Sequence, residues 1–301
     1  MTSRPFLTAL VLALCPALLP AAAHADAETD KLRSTREIVV AHRDASIPFS
    51  YLDARKQPIG YSMDVCARLV TALRRELKLP DLAVKYLPVT SATRIPAIAG
   101  GKASLECGST TNNADRRRQV DYTIAHFISA ARLVVRTGSG IQSLEDLTGK
   151  TVVSTRGTTN IKTMQRISDE RLLKLTIVEA GDHAEAFAMV GSGKADAFAM
   201  DDVLLFGLRA NAAKPQDFSV IGKPMTIEPY AVMLPKGQPE FKKIIDDEMR
   251  RLIFTGELQQ LYQTWFMNPI PPRGINLELP MSFMLRESFK FPSDKVGDLA
   301  Y

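Results

Sequence analysis

Short apolar runs alternate along this chain with longer stretches in which apolar residues recur every three or four positions. Glu37-Ile38-Val39-Val40-Ala41 reads as a strand. Val65, Leu69, Val70 and Leu73 then set one apolar face on a helix over residues 61–77. Residues 84–89 form a second strand pattern behind the breaker Pro80-Asp81. Ser91 opens a helix pattern with Ile95 and Ile98 that Gly100-Gly101 ends, and residues 103–107 read as a third strand. The second half repeats the alternation: strand over 151–154, helix over 159–167, strand over 175–178, helix over 184–190. Alternating strands and helices predict an α/β protein with a parallel-type sheet. Such sheets bind ligands beyond the carboxyl ends of their strands.

The two halves also echo each other. Ala97-Ile98-Ala99-Gly100-Gly101-Lys102-Ala103 resembles Met189-Val190-Gly191-Ser192-Gly193-Lys194-Ala195, each closing an apolar helix with glycines before a strand. A helix C-terminus explains the glycines locally, and the echo fits two lobes on one plan. A long helix is expected from about Phe241 through Trp265. Asn268-Pro269-Ile270-Pro271-Pro272 ends it, since proline cannot continue a helix. The tail 269–301, with a short helix within 279–289, is expected to pack on one lobe.

At the other end, Arg4 precedes an apolar run over 6–19, and Ala23-His24-Ala25 supplies the small-x-small pattern of a signal peptidase site. The run is short for a bilayer span. Residues 1–25 are therefore read as a signal peptide, with the mature chain starting at Asp26 and released outside the cytoplasm. Cys15 leaves with that segment. Cys66 and Cys107 remain to meet an oxidising compartment, either as one disulfide or as two buried thiols.

Composition narrows the class. The 301 residues are 46% hydrophobic and 24% charged, ordinary values for a globular chain of about two domains. Three cysteines are too few for a disulfide scaffold, and four histidines leave little for a zinc site; no metal or cofactor is expected. The excess of 38 basic over 33 acidic residues is well mixed and shows no basic stripe, so no nucleic-acid partner is expected.

The order of motifs resembles the extracytoplasmic solute-binding proteins that serve ABC transporters for polar amino acids. The residues that carry it are Val39-Val40-Ala41-His42-Arg43-Asp44 with Pro48-Phe49-Ser50-Tyr51; Gly60-Tyr61-Ser62-Met63-Asp64; residues 90–96; Cys107-Gly108-Ser109-Thr110-Thr111-Asn112 with Arg116; Leu147-Thr148-Gly149-Lys150 on to Thr159; and Gly193-Lys194-Ala195-Asp196-Ala197 on to Asp201. The resemblance implies a periplasmic, monomeric binder in two α/β lobes joined by two hinge strands, with the ligand in the cleft and membrane subunits of an ABC transporter as partners. It places lobe one at 26–130 plus 228–268 and lobe two at 131–227, with hinges near 130–133 and 226–229.

An amino acid brings an α-carboxylate, an α-ammonium and a side chain, and burying either charge unpartnered is costly. A guanidinium fork matches a carboxylate, and the family places such an arginine at Arg116. Ser109 and Thr111 would add donors, with Thr158 and Thr159 reaching across from the start of a helix whose free N–H groups suit an anion. Arg117 and Arg118 read as a solvated basic helix start, and a plain cap is the simpler reading of Thr158. The ammonium needs a carboxylate, and the family's amine-binding aspartate falls at Asp201; the adjacent Asp202 is the alternative or a helix cap. Arg43, Arg94 one turn after Ser91, and His183 match positions at which acidic-amino-acid binders of this family hold a second carboxylate. Two arginines in one pocket repel unless an anion joins them, which favours an acidic ligand over glutamine or asparagine. Phe49 and Tyr51 fit a cleft wall or a packed turn equally well, and Trp265 reads as core.

An enzyme is the competing class, because periplasmic dehydratases and lyases use related two-lobed domains. They need a cleft acid or base, for which Glu106 is the candidate. No Gly-x-Ser-x-Gly elbow supports a hydrolase. The expectation is a binder without catalytic residues.

Overall fold

The structure is a computed structural model that describes residues 26–295. The expected signal peptide, 1–25, and the last six residues lie outside the described residues.

The apolar runs pair into two five-stranded sheets. The first has the order Ala83–Pro88, Glu37–His42, Leu105–Glu106, Met233–Pro235, Val120–Tyr122. The second runs Thr176–Ala180, Thr151–Thr155, Ala197–Asp201, Ala131–Arg136, Phe218–Ile221. In each, the first three strands pair in parallel and the fourth pairs antiparallel with both its neighbours, so the sheets are mixed rather than wholly parallel. The antiparallel members come from chain that sequence periodicity did not mark. The pair Phe127–Ser129 and Glu228–Tyr230 forms an antiparallel ribbon where the chain leaves one sheet and returns to the other.

Helices cover these sheets on their apolar faces. Tyr61–Glu76 buries Val65, Cys66, Leu69, Val70 and Leu73, a three-to-four spacing that makes one continuous stripe. The expected long helix near the C-terminus is two helices, Pro239–Phe254 and Glu257–Phe266. Gly256 stands between them in left-handed backbone, φ 77°, which ends the first helix where an apolar pattern alone runs on. The third strand is also shorter than 103–107, because only Leu105 and Glu106 pair. The first described residues add a helix not expected from periodicity, Ala27–Thr35. Asp26 caps it and also accepts from Phe241 N, so the helix docks on Pro239–Phe254.

A cluster of Phe49, Tyr61, Phe127, Tyr230, Tyr262 and Phe266 lies under the ribbon, with Phe49 5.1 Å from Tyr230 and Phe127 5.0 Å from Phe266. Phe49 is fully buried, so the packed turn is the correct reading of that residue. Trp265 is buried and donates to Asp64. Cys66 and Cys107 are joined, with Cα atoms 6.3 Å apart. That bond ties the Tyr61–Glu76 helix to the start of the segment 107–112. In the tail, Pro271 O accepts from the Tyr51 hydroxyl at 2.6 Å, and Arg273 donates to Asn211 O and Ala212 O.

Candidate functional site

The predicted residues converge because of the sheet topology. Arg43 follows the strand Glu37–His42, Ser91 and Arg94 follow Ala83–Pro88, and Ser109 and Thr111 follow Leu105–Glu106. In the second sheet Thr158 and Thr159 follow Thr151–Thr155, His183 follows Thr176–Ala180, and Asp201 closes Ala197–Asp201. All stand at carboxyl ends of parallel strands, and those ends face each other across a cleft. Ser91, Arg94, Ser109, Thr111, Arg116, Thr158, Thr159, His183 and Asp201 line one narrow pocket, with Met200 and Leu204.

Arg43 adjoins that pocket through His183. It is 1% exposed, with Nη2 3.5 Å from His183 Nε2. Burial, followed by the charge of Arg43, holds the His183 imidazole well below the usual range, so the ring is neutral. Nε2 then accepts from Arg43, and Nδ1–H donates to Thr155 Oγ1 at 2.8 Å. Arg94 is 2% exposed and donates to Ser109 O at 3.2 Å. Burial and the neighbouring Arg116 guanidinium push Arg94 down to about 9. Arg94 Nε, Arg43 Nη1, Ser91 Oγ and Ser109 Oγ are buried without a protein partner among the described residues. Four such atoms in one place form a surface for an acceptor-rich ligand, since buried polar groups are nearly always hydrogen-bonded.

Arg116 spans the cleft. Asn113 caps its short helix, Nη1 donates to Thr111 O at 2.9 Å, and Nη2 donates to Gly157 O at 3.2 Å on the opposite side. Arg117 donates to Asn112, and Arg118 pairs with Asp115 outside the pocket. Thr158 precedes the helix Thr159–Glu170, but its hydroxyl donates back to Thr155 O at 2.7 Å and does not cap. The first-turn amides of a 12-residue helix therefore face the cleft without a side-chain cap, a partial positive charge suited to a carboxylate.

The opposite end of the pocket is acidic. Asp201 is 4% exposed, accepts from Asn160 Nδ2 at 2.8 Å and from the Tyr230 hydroxyl. Burial, then the nearby Glu228 carboxylate, push it up to about 7. A cation placed there relieves both effects. Asp202 does other work: its Oδ1 accepts from Ser129 Oγ at 2.7 Å and from Val203 N, fastening the ribbon to the helix Asp202–Asn211.

Residues 38–268 match the family model of bacterial extracellular solute-binding proteins, family 3. The chain belongs to this family. Among similar members, the L-glutamate/L-aspartate-binding protein of Pseudomonas aeruginosa is 43% identical over 290 residues, 95% of this chain and 96% of that protein. The glutamate/aspartate import solute-binding protein of Escherichia coli is 39% identical over 295 residues, 97% of this chain and 98% of that protein. A solved ancestral arginine-binding protein bound to arginine superposes with a TM-score of 0.69 at 23% identity, covering 76% of this chain and 98% of that one. That likeness concerns the fold. The two-lobed periplasmic-binding-protein architecture is thus the fold of this solute-binding protein.

Sequence reasoning missed Glu228, Tyr230 and Asn160. Glu228 is 3% exposed on the returning ribbon strand, and its Oε2 accepts from Thr111 Oγ1 at 2.6 Å and Thr159 Oγ1 at 3.1 Å, one hydroxyl from each side of the cleft. The available signal was a single acid at the head of the apolar run Tyr230-Ala231-Val232-Met233-Leu234. Glu106, the candidate catalytic acid, faces away from this role: it is fully buried, and its Oε2 accepts from Thr110 Oγ1 at 2.7 Å. Among the described residues no group of acids, histidines or cysteines is placed to hold a metal ion.

Proposed function

We propose that this solute-binding protein captures an acidic L-amino acid, glutamate or aspartate, in the periplasm and presents it to the membrane subunits of an ABC transporter. The observation that carries the reading is the pair of buried guanidiniums, Arg94 and Arg116, in one pocket. Burial, and then the Arg116 charge beside it, lower Arg94. A dicarboxylate joins them; a neutral amide side chain leaves Arg94 uncompensated. Arg116, Ser109, Thr111 and the Thr159 helix start hold the α-carboxylate. Asp201 holds the α-ammonium, while Arg94, Ser91 and the Arg43–His183 pair hold the second carboxylate. The relatives from Pseudomonas aeruginosa and Escherichia coli, named for glutamate and aspartate, support this assignment.

Lobe one is taken as residues 26–130 with 228–268, and lobe two as 131–227. Arg94, Ser109, Thr111 and Arg116 come from the first, and Thr159, His183 and Asp201 from the second. A ligand held by both favours the closed form by the difference in its contacts, and the transporter reads that closure. The protein acts as a monomer, carries residues 1–25 as an export signal, and catalyses no reaction. The test is thermal shift of the mature protein with each of the twenty amino acids, because a ligand bound only to the native state raises its stability. Glutamate or aspartate should give the largest shift; a larger shift with glutamine or arginine overturns the reading.

A further inference from the structure

Away from the pocket, lobe two meets lobe one at a second place. The helix Asp202–Asn211 begins beside Asp201, lines the pocket with Leu204, and one turn later presents Gly207 to the backbone of Ile47. A Cβ built on Gly207 would lie 2.5 Å from Ile47 O, 3.1 Å from Ile47 C and 3.3 Å from Ile47 Cβ. The nearest atom is a carbonyl oxygen and cannot swing aside as a side chain could. Ile47 sits in the loop that carries Arg43, where Ser50 Oγ accepts from Arg43 N and ties the loop together. The helix backbone at Gly207 is ordinary, so local conformation does not demand glycine there. Alanine is the better helix former. Glycine is required only by the approach of the other lobe.

We propose that Gly207 is a positioning residue for ligand capture: its missing side chain lets the Asp201 helix close against the Arg43 loop, bringing the amine and side-chain anchors to their working separation. The inference rests on the cleft-closure reading above. In the open form Ile47 moves away and position 207 is free, so a methyl group there acts on closure alone. Overpacking by one methyl against backbone corresponds to roughly a 5- to 150-fold loss of affinity.

Gly207→Ala in the mature protein tests this, with Gly191→Ala as control. Gly191 ends a lobe-two helix too, but its Cβ would meet only the Phe218 ring, at 3.3 Å. Expected for Gly207→Ala are a ligand-free melting temperature at or above wild type, a Kd for glutamate raised at least about fivefold, and a smaller ligand-induced decrease in radius of gyration by small-angle scattering. The control keeps both wild-type affinity and compaction. Unchanged affinity and compaction in Gly207→Ala overturn the proposal. So does a ligand-free variant that melts well below wild type, since the clash would then belong to the resting fold. A wild-type protein that fails to bind glutamate would instead refute the ligand assignment.

Discussion

Replacing Asp201 with asparagine separates charge from shape at the amine end of the pocket. The side chain is 4% exposed and held by Asn160 and Tyr230, so an isosteric amide keeps the packing. Removing one partner of a buried charge pair costs about 3–5 kcal/mol. The Kd for glutamate should therefore rise by roughly two to four powers of ten. Stability should move the other way. Burial, and secondarily Glu228, raise the folded-state value to about 7, well above the ordinary carboxylate range. Between those two values the folded state binds more protons than the unfolded state, so stability falls as pH rises and levels off above about 7. The ligand-free Asp201→Asn protein should thus melt at or above wild type at pH 8, with the gap shrinking towards pH 4. Calorimetric titration and melting curves at both pH values are the assay. Affinity within about threefold of wild type would refute Asp201 as the ammonium partner, and a lower melting temperature at pH 8 would refute the charge argument.

Three further outcomes follow from the same geometry. Arg116→Ala should abolish binding of every amino acid, whereas Arg94→Ala should narrow the affinity gap between glutamate and glutamine; equal losses for both ligands in Arg94→Ala would remove that residue from the side-chain pocket. Affinity for glutamate should climb between pH 5.5 and about 7 and then flatten, because the ammonium pairs with ionised Asp201 and its proton must leave below that value; calorimetry at pH 6 in buffers of different ionisation enthalpy should show proton release, and a flat profile contradicts the mechanism. Replacing Cys66 and Cys107 together by alanine opens a loop with a sequence separation of 41 and should cost roughly 3–4 kcal/mol by denaturant unfolding; a change below about 1 kcal/mol would show that the bond adds little.

Much of the fold was legible where periodicity is strong. The strand Glu37–His42, the helix Tyr61–Glu76 and the strand-helix alternation of the second lobe each bury one clear apolar face. The antiparallel strands Ala131–Arg136, Val120–Tyr122 and Met233–Pro235 were not read, because their pairing depends on chain returning from far away. Continuity of apolar pattern hid the break at Gly256, although the glycine itself was visible. At the site, the residues facing the cleft were readable from the chemistry an amino acid demands together with family order. The supporting groups were not. Glu228 and Tyr230 act from a ribbon strand that only tertiary structure brings beside Asp201.

The central claim is that buried guanidiniums select a second carboxylate, and paired calorimetric titrations of the mature protein with L-glutamate and L-glutamine at pH 8 test it most directly. The two ligands have nearly the same shape and differ in one charge. Leaving a buried arginine uncompensated corresponds to a loss of about 3–5 kcal/mol, so glutamate should bind at least a hundredfold more tightly. Equal affinities, or tighter binding of glutamine, would contradict the account.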